Sequence, residues 1–191
     1  MAPRKAGLKG DGNTTMKTSG LTALCLFLTT AVATGDEAKP NFSGTWVLNQ
    51  ARSRLEMTAP AKSTFWIEHH GGRFKLTRTH AWDERWNTLS FEVPTDGEEH
   101  YRKTGFSESW SRMAWLEDEL VLDMKLAFGE EQGTNVVHYR LADEGETIVA
   151  AEWYHTPNAR HHNLWVLERV PDAQAVEHRD RLKEFAERYT A

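Results

Sequence analysis

From residue 42 to residue 170 apolar and polar side chains alternate in short runs, and turn-forming residues interrupt the alternation about every ten positions. A period of two belongs to strands with one face buried and one in water. It predicts ten strands, at residues 42–49, 63–70, 73–82, 86–93, 99–104, 107–116, 119–128, 134–141, 147–155 and 162–170. No helical stretch separates them, so the chain is expected to be all-β, an antiparallel up-and-down barrel of about ten strands. After Val170 the period lengthens. Pro171-Asp172 opens a run of good helix formers with an apolar stripe at Val176, Leu182, Phe185, Ala186 and Tyr189, which predicts a C-terminal α-helix within 171–191.

Two tight turns set registers, and registers set faces. His70-Gly71-Gly72-Arg73 places two glycines where a primed hairpin turn needs positive φ. His69 then opposes Phe74, Ile67 opposes Leu76 and Phe65 opposes Arg78. Directly opposed residues share a face, so Phe65, Ile67, His69, Phe74, Leu76, Arg78, His80 and Trp82 are expected to point inward. A second turn at Glu117-Asp118 pairs Trp115 with Leu120, Met113 with Leu122, Ser111 with Met124 and Ser109 with Leu126, and sets Arg112 against Asp123 outside. Near the C-terminus, opposing Trp153 to Trp165 would turn both of them, and His155, inward. The turn at residues 142–147 is ambiguous by one residue, which leaves the face of Tyr139 open.

The first 33 residues follow another pattern. Arg4, Lys5, Lys9 and Lys17 stand against the single acid Asp11, and Leu21 to Val32 is a twelve-residue run without charge. Ala31-Val32-Ala33 completes the basic, apolar, A-x-A succession of a secretory signal, with a cut expected after Ala33. Met16-Lys17 offers an alternative start. The apolar run is too short for a stable membrane span. The expected organisation is therefore a signal peptide over 1–33, a linker over 34–40, the barrel over 41–170 and the helix beyond it, on an exported chain working in the periplasm or outside the cell. Cutting there removes four basic residues and one acid, leaving 19 against 27, a net charge of −8. An acidic domain is a poor partner for nucleic acid. The only cysteine, Cys25, leaves with the signal, so the mature chain has no disulfide or thiol chemistry.

Four short motifs stand in order along the strands: Asn41-Phe42-Ser43-Gly44-Thr45-Trp46-Val47-Leu48, Pro94-Thr95-Asp96-Gly97-Glu98, Ala114-Trp115-Leu116-Glu117-Asp118-Glu119-Leu120, and Tyr139-Arg140-Leu141-Ala142-Asp143-Glu144-Gly145-Glu146-Thr147-Ile148. Together they resemble the calycin superfamily, and within it the lipocalin-like and fatty-acid-binding-protein-like domains that bacteria export. The resemblance implies a barrel around a cavity for an apolar small molecule, with Gly44 allowing close packing where the barrel closes and Trp46 plugging one end. Two features differ from intracellular fatty-acid carriers. Residues 50–62 (QARSRLEMTAPAK) are too short for a two-helix lid and contain Pro60. The last strand places Trp165 and Leu167 where those carriers have an Arg and a Tyr for a carboxylate.

No nucleotide loop, metalloprotease helix, nucleophile elbow or C-x-x-C is present, so neither enzyme activity nor a cofactor is expected. The leading expectation is a hydrophobic or amphipathic ligand lined by Arg78, His80, Phe65, Ile67, Leu76, Phe91, Ser111, Met113, Trp115, Met124, Trp153 and Trp165. Arg78 is the sharpest of these, because an inward guanidinium needs a partner and an anionic head group supplies one. Two alternatives stand beside it. The eight Trp could fill the barrel and leave a structural or protein-interaction module. His69, His80 and His155, if all inward, could hold zinc or a haem iron. For the exported chain, N-terminal sequencing of protein from the envelope fraction should read from Thr34; a start at Met1 or Met16 would contradict the signal reading.

Overall fold

A computed structural model describes residues 39–189, apart from Glu84 and Phe106, and the side chains of 184–189 lie outside that description. The expected signal peptide and most of the linker also fall outside the described residues. The strands are β1 (Gly44–Leu48), β2 (Arg54–Leu55), β3 (Lys62–His70), β4 (Arg73–Trp82), β5 (Arg85–Pro94), β6 (Glu99–Thr104), β7 (Ser107–Leu116), β8 (Glu119–Phe128), β9 (Glu131–Ala142), β10 (Thr147–Thr156) and β11 (Ala159–Arg169). One helix, α1 (Asp172–Tyr189), follows. The strands form one antiparallel sheet in the order β5-β4-β3-β1-β11-β10-β9-β8-β7-β6, and β2 pairs with β11. First and last strands therefore meet in the middle of the order, while β5 and β6 are its two edges. The result is a nearly closed ten-strand barrel.

Both turn-derived registers hold. Phe65 opposes Arg78, Ile67 opposes Leu76, and His69 opposes Phe74. Gly71 and Gly72 both adopt positive φ, 59° and 73°, as the two-residue hairpin requires. Across β7 and β8, Ser111 opposes Met124 and Met113 opposes Leu122, with Arg112 and Asp123 paired outside at 3.2 Å. Tyr139 opposes Leu120 and Ala150 and points inward.

Three expectations change. The turn before β11 is Pro157-Asn158, because Thr156 pairs with Ala159. That sets Trp153 against His162 and Trp165 against Ala150, so Trp153 and His155 lie on the outer face. Residues 50–62 carry no helix, but they contain the short strand β2 and send Leu55 and Met57 against the core. On α1 the buried positions are Ala175 and Leu182, two turns apart, and Val176 is 56% exposed. The helix packs on the outer side of β1, β4 and β5, with the Lys183 ammonium 5.5 Å from the Trp66 ring. Phe185, Ala186 and Tyr189 lie outside the described side chains.

One end of the barrel is filled. Phe42, Trp46, Phe74, Leu120, Leu122, Ile148 and Leu167 are essentially without solvent contact. There the Arg169 guanidinium lies 4.1 Å from the Trp46 ring and donates to the carbonyls of Ser43 (3.0 Å) and Gly145 (2.9 and 3.2 Å). Gly44 makes room for it: a Cβ there would stand 2.6 Å from Arg169 Nη1, and its φ of 149° is one that other residues rarely adopt. Arg169→Met should cost about 2–4 kcal/mol, since it removes charge-assisted donors from two carbonyls and a cation–π contact. Urea unfolding measures it; a loss below about 0.5 kcal/mol would mean that the contact does not close the barrel.

Candidate functional site

Beyond the filled end the interior changes character. Inward positions on β4, β5, β8, β9 and β10, namely Arg78, Phe91, Met124, Asn135 and Glu152, are only half-buried. Leu89 opposes Arg78 and so faces inward, yet it is 40% exposed because β5 has no strand paired along its other side. Solvent therefore reaches this half of the interior, and the unpaired β5–β6 margin is one opening to it.

An aromatic cluster stands between the two halves. His80 stacks parallel to Trp165 with ring centres 5.2 Å apart, and Phe65 meets both edge-on at 5.7 and 6.2 Å. His80 Nδ1 shares a 2.5 Å hydrogen bond with Ser63 Oγ. Burial, with a smaller push from the Arg78 charge, drives the His80 pKa down to about 3. This imidazole is neutral at physiological pH and serves as an aromatic ring.

Arg78 stands beside it with a single hydrogen-bond partner among the described residues, Asn87 Oδ1 at 3.2 Å. Burial lowers its pKa, partly offset by the charge of Glu152 and by Tyr139, but no carboxylate among the described residues lies within 4 Å. A guanidinium stays ionised even so. Glu152, on β10, uses Oε2 to accept from Asn163 Nδ2 (2.9 Å) and Trp165 Nε1 (2.8 Å). Burial raises the Tyr139 pKa well above the ordinary phenol value, so its hydroxyl keeps its proton.

The structure thus brings together Arg78, His80, Phe65 and Trp165, and places Phe91, Ser111 and Met124 on the same inner surface. Ile67, Leu76 and Met113 are also inward and, with Phe65 and Trp165, form part of the buried core, against which the half-buried Phe91 and Met124 pack. Trp115 packs at the closed end, stacked on Phe42 at 6.1 Å and 5.6 Å from the Lys39 ammonium. Trp153 is outside, 40% exposed between His138 and His162. Sequence reasoning missed Glu152, Asn163, Asn135 and Leu89. The available signal was Pro157-Asn158, which as a two-residue turn sets Glu152 against Asn163 and both inward.

The three histidines do not converge. His69 sits among Phe42, Phe74 and Trp115, where burial lowers its pKa, His80 opposes Ser63 six residues further along β3, and His155 is outside. Among the described residues no group of three or more His, Cys, Asp or Glu is placed to hold a metal ion. A cleft of about 450 Å³ along β6–β10 is lined mostly by outward residues, among them Glu99, Trp110, Lys125 and His155, together with the inward Leu126 and Gly133, and does not include Arg78, His80 or Glu152. No helix among the described residues is long and apolar enough to cross a membrane.

No family model and no curated protein matches the sequence. Among solved structures, the chain is similar in shape to the zebrafish ileal bile acid-binding protein complexed with cholic acid, with a TM-score of 0.41 and 16% identity over 68% of this chain and 98% of that one. It is likewise similar to human cRBP IV (TM-score 0.42, 17% identity, 69% and 99%). A third is the secretory abundant heat soluble protein 4 of Ramazzottius varieornatus (0.41, 10%, 68% and 95%).

The His80 environment has a pH signature. Its folded pKa lies below the unfolded value of 6.5, so between about pH 6.5 and pH 3 the unfolded chain binds the extra proton and stability falls as pH falls. Relative to His80→Gln, the wild type should lose about 2 kcal/mol between pH 7 and pH 5 and nothing above pH 7. Parallel denaturation curves test this, and a pH-independent difference would place His80 in water.

Proposed function

We propose that the protein is a carrier for a small amphipathic anion, held in the solvent-accessible half of the barrel. The apolar body of the ligand rests against Phe65, Phe91, Leu89 and Met124, and its anionic end pairs with Arg78. The observation that carries this reading is the state of Arg78: inward, partly desolvated, and bonded among the described residues only to a neutral amide oxygen. A cation in that position gains more from an incoming anion than from the water it would give up, because screening inside the barrel is weak. Similar barrels serve unrelated functions, so the reading rests on this site and not on the architecture. The basic, apolar, A-x-A N-terminus supports a carrier working outside the cytoplasm.

Oleate titrated into the purified domain should bind, and Arg78→Met should weaken it by about 2–5 kcal/mol while circular dichroism stays unchanged. Pyrene, neutral and hydrophobic, should respond far less. If Arg78→Met instead leaves oleate affinity intact and raises the melting temperature, Arg78 has no anionic guest.

A further inference from the structure

The interior holds a second polar anchor, opposite in sense to Arg78. Glu152 commits Oε2 to two donors, Asn163 Nδ2 and Trp165 Nε1, which together fix the carboxylate. Its other oxygen, Oε1, has no hydrogen-bond partner among the described residues and is not sealed from solvent. On the neighbouring strand Asn135 also faces inward, opposite Tyr154, and its Oδ1 is buried without a partner. Asn135 and Glu152 are diagonal neighbours across β9 and β10. This patch of the wall therefore holds two uncommitted acceptor oxygens, Glu152 Oε1 and Asn135 Oδ1, the first of them charged, while Arg78 offers donors and lacks an acceptor with charge. A monoanion satisfies only Arg78 and leaves the carboxylate of Glu152 without a partner for Oε1.

Building on the proposed anion at Arg78, we infer that the ligand also carries a hydrogen-bond donor, a hydroxyl or an ammonium, which docks on Glu152 Oε1. The ligand class is then a hydroxylated or amino-substituted amphipathic acid. A plain fatty acid lacks the second group. Trp165 links the two anchors physically: its indole N–H holds Glu152, and its ring stacks on His80 beside Arg78. The neutral His80 ring adds no competing charge between them.

Matched pairs of probes test this: ricinoleate against oleate, ω-hydroxypalmitate against palmitate, and ω-aminolaurate against laurate, each measured by calorimetry on the intact domain. At least one substituted acid should bind about tenfold tighter than its parent, the worth of one hydrogen bond to a half-buried carboxylate. A hydroxyl pair and the amino pair respond separately, which tells the two donors apart. In Glu152→Gln the amide oxygen takes over the bonds from Asn163 and Trp165, and the NH₂ turns to the interior. A donor then stands where the acceptor was, so the tenfold preference should vanish while oleate still binds and still depends on Arg78. The O-methyl ether of ricinoleate keeps the shape and loses the donor, and on the wild-type protein it should bind no better than oleate, whatever the variant does. Equal affinity within every pair, with Arg78 dependence intact, overturns the inference and leaves the anion site standing. A preference that survives in Glu152→Gln or in the methyl ether overturns the assignment to Glu152. Failure of every acid to bind removes the anion site and this inference together.

Discussion

A sheet rolled into a barrel must join its first strand to its last, and here that junction rests on one stacked pair. The Arg169 guanidinium covers the Trp46 ring and ties the carbonyls before β1 to those before β10. Trp46 in turn donates its indole N–H to the Phe42 carbonyl, 3.1 Å away, so the chain entering β1 is fixed as well. Gly44 leaves room for the contact, since a Cβ there would stand 2.6 Å from Arg169 Nη1 and displace the guanidinium. Everything packed above it, from Phe74 to Ile148, uses the floor that this pair provides. The filled end and the accessible half of the barrel are thus consequences of where the closure sits.

Above the floor, two basic side chains share one environment and end in opposite states. Desolvation acts on both His80 and Arg78. The imidazole needs little energy to discard its proton and becomes a neutral ring against Trp165. The guanidinium has no such escape, so it stays a cation with an amide oxygen as its only hydrogen-bond partner among the described residues. A buried charge in a stable barrel is normally matched by another residue. Glu152 provides the opposite sign in the same interior, but it is held by Asn163 and Trp165 instead of by Arg78. The two charges remain apart, and that separation gives the interior its chemical direction.

Much of this was legible because hairpin turns are local. Gly71-Gly72 and Glu117-Asp118 specify two-residue loops, and each loop determines the face of every residue on its two strands. Arg78 could be placed inward on that basis alone. The same logic applied to Pro157-Asn158 places Glu152 inward, whereas opposing Trp153 to Trp165 is a register three residues off and turns Trp153 to the wrong face. Large aromatic residues do not identify the inner face, since Trp66, Trp86 and Trp153 all lie outside. Strand β2 was illegible for a different reason: two residues carry no period, and its pairing with Asn163 and Leu164 is a long-range event. On α1 Leu182 is buried as its stripe predicts, but one turn from the N-terminus the small Ala175 is buried and Val176 is exposed.

The margin between β5 and β6 gives the barrel a mechanical property. Along every other seam a ladder of backbone hydrogen bonds must break before strands separate, but no ladder joins these two. On one side of the margin α1 lies across β1, β4 and β5 and stiffens them. On the other, β6 is a six-residue strand whose one backbone ladder among the described residues is with β7. The compliance is therefore lopsided: a stiff jamb and a short, softly hung leaf, so that the interior can change its girth without spending any of the hydrogen bonds that define the barrel.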